Sequence, residues 1–249
     1  MQFHMLVLEG DKEAEKTKKE AHLPVYTASA YLRRKRLESR PPLHNRSFYL
    51  CRMIEEELKG LVIDGSGRIT ICAHQVRLAP GDEKYICDRN FHVSIYYLEQ
   101  EEINAIEEAD PDTEQTVIWR ILQNSLMDIA RRNRCPGDVA EKMEEAFARI
   151  ADSHFVREER IEKLTKRAKN TGLTAYVYRV LSAETGEGWH IKITDRKKRV
   201  RYQAAIDEDT RYINRLGSRL YAKAEWRENA FVISDNFAQE VFRINVPEE

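Results

Sequence analysis

The chain has 249 residues, 42% hydrophobic and 33% charged, with 10 glycines and 7 prolines, which excludes collagen-like, low-complexity and wholly disordered classes. That length can bury a core without disulfide staples. The 41 Lys and Arg against 42 Asp and Glu leave a net charge of −1, so attraction for any charged partner must come from local patches.

The first predicted element is a strand around Phe3–Leu8. A charged helix is expected over 11–22 and a second over 25–38, separated by Pro24, which lacks an amide donor and clashes with the preceding turn. Ser47 is placed to cap a third helix, with Phe48, Cys51, Ile54 and Leu58 on one face. Leu61–Ile63 and Arg68–Cys72 read as a β-hairpin closed by Asp64-Gly65-Ser66-Gly67. After turn residues 79–82, a strand is expected over Phe91–Leu98, with Phe91, Val93 and Ile95 on one face and His92, Ser94 and Tyr96 on the other. A short acidic helix follows over 99–109.

The middle reads as helical. A helix opens at Asp112 or Thr113 with a stripe of Val117, Ile118, Ile121, Leu122, Leu126 and Ile129. Asp138 is placed to cap another, with Val139, Met143, Phe147 and Ile150. A further one runs to about Lys169, with Ile161, Leu164 and Ala168 inward and Glu159/Lys163 and Glu162/Lys166 at helical pair spacing. Beyond Gly172 the pattern changes to a period of two. Trp189, Ile191 and Ile193 alternate with His190, Lys192 and Thr194. Val200, Tyr202, Ala204 and Ile206 alternate with Arg199, Arg201 and Gln203. Leu220, Ala222, Ala224 and Trp226 alternate with Arg219, Tyr221, Lys223 and Glu225. This alternation predicts an antiparallel sheet with one covered face. The fold class is therefore α+β, with a mixed portion over 1–110, a helical segment over 111–171 and an antiparallel β portion over 172–249, which together can form one domain.

No unbroken apolar run exceeds four residues, far short of the roughly 20 that span a bilayer. No basic segment leads into an apolar one at the start of the chain. The expectation is a cytoplasmic protein without membrane contact, with Cys51, Cys72, Cys87 and Cys135 as reduced thiols and no cofactor. No glycine-rich phosphate loop, dinucleotide fingerprint, nucleophile elbow or helical zinc-peptidase motif is present.

Four constellations could carry function. Charge is most lopsided over 61–110, with 4 basic and 10 acidic residues. Within the acidic region 82–110, Glu99, Glu101, Glu102, Glu107, Glu108 and Asp110 form a carboxylate-rich stretch suited to docking on a basic protein partner. The densest basic runs are Arg33–Arg36 and 196–201. Lys192, Arg199, Arg201, Arg219 and Lys223 are expected on one exposed sheet face with Tyr221 and His190, a pattern that suits phosphates and stacked bases. Cys72, His74, Cys87 and His92 supply two thiolates and two imidazoles, the ligand types of structural zinc, at a spacing that matches no common zinc pattern. Finally, Phe91-His92-Val93-Ser94-Ile95 resembles half of the signature of the 2H phosphoesterase superfamily. That resemblance implies a proton-handling role for His92 and phosphate binding by Ser94. A second half would fall at His190-Ile191-Lys192, where Lys192 stands in place of the hydroxyl and Thr194 lies on the same strand face.

The leading expectation is a non-enzymatic binding protein acting through its acidic stretch, as an inhibitor or immunity-type partner of a basic effector. A nucleic-acid binder using the C-terminal sheet and a 2H-type phosphoesterase using His92 and His190 are the alternatives.

Overall fold

The computed structural model describes residues 5–10, 42–73, 83–88, 90–207 and 221–246. The expected helices over 11–22 and 25–38, the basic run Arg33–Arg36, the turn at 79–82, His74 and Arg219 lie outside the described residues. The chain is α+β and divides into two compact units, Met1–His154 and Phe155–Glu249.

The first unit is built on a four-stranded sheet. Its strands are β1 (Met5–Gly10), β2 (Arg68–Ala73), β3 (Tyr85–Asp88) and β4 (Val93–Tyr97), in the order β1-β2-β4-β3. β2 pairs parallel with both β1 and β4, and β3 pairs antiparallel with β4. Between β1 and β2 come a short helix α1 (Leu43–Arg46) and α2 (Phe48–Glu57). α2 buries Leu50, Cys51, Met53 and Ile54, with Leu58 just beyond its end. Ser47 precedes α2, but its hydroxyl donates back to Leu43 O in α1 at 2.8 Å and does not cap α2. Burial holds the Cys51 thiol at about 12, fully protonated.

The 61–72 hairpin does not form. Asp64 Oδ1 accepts from the Ser66 amide (2.8 Å) and hydroxyl (2.7 Å), folding the segment into bends. β2 then takes its neighbours from β1 and β4, both distant in sequence. The strand expected from Phe91 begins at Val93 instead, and within it the expected alternation holds. Ser94 and Tyr96 are buried, while Phe91 is 78% exposed.

The helices of this unit follow the sequence more closely. They are α3 (Gln100–Glu108), α4 (Pro111–Arg132) and α5 (Gly137–Asp152). α4 buries Ile118, Trp119, Ile121, Leu122, Leu126 and Ile129, and α5 buries Met143, Phe147 and Ile150. Trp119 meets the Phe147 ring edge-on at 5.6 Å, the arrangement that ring quadrupoles favour.

The second unit is two antiparallel sheets around one core. One holds β5 (Arg157–Arg160), β7 (Thr174–Ser182), β8 (Gly186–Thr194) and β9 (Val200–Asp207) in the order β5-β7-β8-β9, with β6 (Lys166–Arg167) also pairing β7. The other is a meander of β10 (Lys223–Arg227), β11 (Ala230–Ser234) and β12 (Glu240–Asn245). Val177, Ile191 and Ile193 of the first sheet and Phe231 and Ile233 of the second are fully buried in the shared core, joined by Trp189 and Leu164.

The helix expected up to Lys169 is absent. Residues 157–167 form β5, one tight turn at Glu162–Leu164, and β6, because this segment completes the one edge of β7 that β8 leaves open, β5 along Tyr178–Leu181 and β6 along Thr174–Ala175. Ile161, Leu164 and Ala168 still turn inward, as their apolar character requires. The helical pairs Glu159/Lys163 and Glu162/Lys166 do not form. Arg160 instead holds Glu162, with Nε at 2.6 Å, and Glu159 lies 3.8 Å from Arg179. The helical segment expected over 111–171 is thus split, with α4 and α5 in the first unit and its last stretch forming strands of the second.

Candidate functional site

Strand pairing in the second unit brings together a set of side chains that sequence proximity hides. In antiparallel pairs, directly opposed residues share a face. Tyr176 of β7 opposes Lys192 of β8, which opposes Gln203 of β9. Tyr178 opposes His190 on one side and Arg160 of β5 on the other. Arg167 of β6 opposes Thr174. All of these alternate with Ala175, Val177, Ile191 and Ile193, whose side chains fill the core, so they stand on the outward face. Arg201 lies at a bulge on the same side of β9 and is exposed.

The rings on this face are in register with one another. Tyr178 stacks on His190 with centroids 5.0 Å apart and planes 30° apart. Tyr176 lies 6.5 Å from Tyr178, tilted by 36°. The Arg160 guanidinium sits over the Tyr176 ring at 5.7 Å. Partial burial, aided by the Glu158 carboxylate, raises the Tyr178 phenol above its ordinary value, so it stays neutral and uncharged at physiological pH. The outward strand residues whose side chains are described supply four cations, Arg160, Arg167, Lys192 and Arg201, and one carboxylate, Glu158, which lies 4.0 Å from His190 Nε2, while Glu162 beyond the end of β5 holds Arg160.

Sequence reading placed His190, Lys192 and Arg201 on this face and missed Arg160, Arg167, Tyr176 and Tyr178. It also assigned residues here that lie elsewhere. Tyr221 is 5% exposed and packs on Trp189 at 4.8 Å, inside the core. Lys223 belongs to β10, whose outward side faces away from that of β7 and β8 because the core lies between the sheets. Arg199 pairs with Asp195 at 2.7 Å, and the same aspartate accepts from the Lys197 and Arg199 amides, so these groups fold the β8–β9 turn. Arg219 lies outside the described residues.

The residues of the 2H resemblance are not arranged as that motif requires. His92 precedes β4 in a left-handed turn (φ 54°) and is exposed, whereas Ser94 is fully buried, 3.5 Å from Tyr85 Oη. Residues two apart share a strand face only when both lie in the strand. His190 and Thr194 belong to the other unit, and Thr194 is 6% exposed.

The zinc set is likewise dispersed. Cys72 opposes Tyr97 on β4 while Cys87 opposes Ser94, three residues or about 10 Å further along that strand. His74 lies outside the described residues. Among the described residues, no group of three or more His, Cys, Asp or Glu is placed to hold a metal ion.

The acidic stretch has a local explanation. Glu99 caps α3, and Glu102 returns the bond to the Glu99 amide at 2.8 Å, a capping box. Lys84 bridges both carboxylates at 3.3 and 3.2 Å. Asp110 caps α4 through the Asp112 and Thr113 amides at 2.9 Å. Glu101 and Glu108 remain as exposed carboxylates, and Glu107 is exposed as well.

A polar network in the first unit also escaped the sequence reading. Tyr85 Oη donates to Asp64 Oδ2 at 2.8 Å and accepts from Asn133 Nδ2 at 3.0 Å. Each group has its partners, so the network reads as a satisfied tether between the 64–67 bend, β3 and the end of α4.

Comparison of the chain with protein-family models, with curated proteins and with solved structures gives no match. Among the described residues, no helix is long and apolar enough to cross a membrane.

Proposed function

We propose that the second unit binds single-stranded nucleic acid across the outward face of its β5-β7-β8-β9 sheet. The observation that carries this reading is the Tyr176–Tyr178–His190 row of rings, flanked by Arg160, Arg167, Lys192 and Arg201. Partly exposed rings on a sheet offer stacking surfaces to unpaired bases, and cations alongside them follow the phosphate backbone. A face built only to stay soluble has no need of three aligned rings. It is served by Lys and Arg alone.

Because every base has a stacking face, the expected binding tolerates different sequences and weakens with salt. The inhibitor or immunity-type reading of residues 99–110 keeps less support, because Glu99, Glu102 and Asp110 already serve as helix caps.

The test is fluorescence anisotropy of a labelled single-stranded oligonucleotide of about a dozen nucleotides, at low salt. Tyr178→Ala removes the central ring and is expected to weaken binding by about 1–3 kcal/mol, roughly fivefold to 150-fold. Absence of binding by the unaltered chain, or unchanged affinity in Tyr178→Ala, removes the proposal.

A further inference from the structure

A concave site lies on the same unit, away from the ring-bearing face. It is a pocket of about 320 Å³ lined by Lys163, Lys166, Lys223 and Arg227, with Glu225 and an apolar floor that includes Ala224. The strand register fixes its side. Lys166 opposes Ala175, whose side chain points into the core, whereas the next residue, Arg167, opposes Thr174 on the outward face. Lys166 therefore leans towards β10, and Arg167 belongs to the surface described above. The backbone at this point is held by Trp226, whose indole Nε1 donates to Lys166 O at 3.0 Å. Opposite, Asp235 Oδ1 accepts from the Phe237 and Gln239 amides at 2.8 Å, folding the β11–β12 turn that presents Ala238 to the pocket.

Its charge is unbalanced. Glu225 is already held by Arg227 at 2.6 Å, and Arg227 also reaches Glu240 at 3.5 Å. Lys163, Lys166 and Lys223 make no ion pair among the described residues. Three ammonium groups gathered around one hollow repel one another, and a low-dielectric wall focuses their field into it. Several arginines of this unit are matched by carboxylates, as in the pairs Arg179–Glu187, Arg199–Asp195 and Arg243–Glu240, whereas the three lysines at this pocket are not matched among the described residues.

We propose that this pocket binds a small, multiply charged phosphate-bearing molecule, with Lys163, Lys166 and Lys223 as its phosphate ligands. Lysine suits that role as a compact point charge with three donors. The volume lies at the low end of small-ligand pockets, which limits the occupant to a phosphate ester or short polyphosphate and excludes a strand of nucleic acid. The proposal does not rest on the nucleic-acid reading.

Inorganic pyrophosphate is the probe, titrated calorimetrically into the full chain at fixed ionic strength. The expected result is saturable binding of about one equivalent, weakened about tenfold by each of Lys163→Gln and Lys223→Gln. Both side chains are exposed, so neither change disturbs the core, and unchanged melting temperatures confirm that the variants are folded. Tyr178→Ala, which empties the other face, should leave pyrophosphate affinity as it was, and the lysine variants should leave oligonucleotide affinity as it was. No saturable binding by the unaltered chain, or equal affinity in a folded lysine variant, overturns the proposal. Parallel loss of pyrophosphate affinity in Tyr178→Ala also overturns it.

Discussion

Glu55 lies on α2 with its carboxyl turned towards β1, where Oε1 accepts from the Leu6 amide at 2.8 Å and Oε2 meets Arg52. Burial is the largest influence on this group and raises its pKa, against the pull of the amide and the guanidinium. A carboxyl whose folded pKa exceeds its unfolded one favours folding most when protonated. Its contribution is complete below the ordinary carboxylate range and is lost as pH rises through the raised folded value. Glu55→Gln keeps an acceptor for Leu6 and removes the ionisation. Chemical denaturation should therefore show its stability relative to the parent chain rising between pH 4 and pH 7. Glu55→Ala strands the Leu6 amide and should cost about 1–3 kcal/mol at either pH. Equal stability of the alanine and glutamine variants would show that the amide needs no partner. Tyr85 poses a related question. Its hydroxyl is the donor to Asp64 Oδ2, and Tyr85→Phe leaves that buried oxygen unserved, at a similar cost measured the same way.

At the level of elements, the helices that were legible in the sequence are those whose ends carry their own signals. The start expected at Asp112 or Thr113 lies a residue or two inside α4, whose cap is Asp110 with Pro111 at the first helical position, and hydrogen bonds from the Thr113 and Asp112 amides hold the Asp110 carboxyl below the usual carboxylate range. A depressed folded pKa contributes stability above the unfolded value and loses it as pH falls through the folded one. Asp110→Ala should thus lower the melting temperature at pH 7 and leave it nearly unchanged near pH 2, and an equal deficit at both would rule out the cap as its cause. The alternation of β8 and β9 was equally readable, since one face of each is covered by the core. What stayed hidden is what depends on a remote partner. β2 pairs with β1, more than fifty residues away, and residues 157–167 carry helix-like charge spacing that the open edge of β7 overrides. Arg160 and Arg167 were lost to the site for that reason. Tyr176 and Tyr178 carry the same period-two signal as His190 and Lys192, and were there to be found. Gly172, in the turn between β6 and β7, is left-handed at φ 72°, and an added Cβ would meet the Arg196 side chain. Arg196 is flexible and can yield, so the remaining cost is backbone strain of about 1 kcal/mol for Gly172→Ala, measurable by thermal denaturation.

For the whole molecule, charge is what makes the proposed interface distinctive. The net charge of −1 gives a polyanion no general reason to approach, so any association must be driven by the local excess of cations beside the three rings. That separates two kinds of binding by their response to salt. Stacking on Tyr176, Tyr178 and His190 is nearly independent of ionic strength, whereas each phosphate neutralised releases condensed counterions. For a single strand, log K falls against log salt with a slope of about −0.7 per phosphate neutralised. Lys192 lies opposite Tyr176, between the rings and Gln203, and makes no ion pair among the described residues. Lys192→Gln should reduce the slope by about 0.7 and weaken binding most at low salt, while Tyr178→Ala lowers affinity by the same factor at every salt concentration and leaves the slope alone. If the ring variant flattens the salt dependence and the lysine variant does not, the strand does not lie along this face.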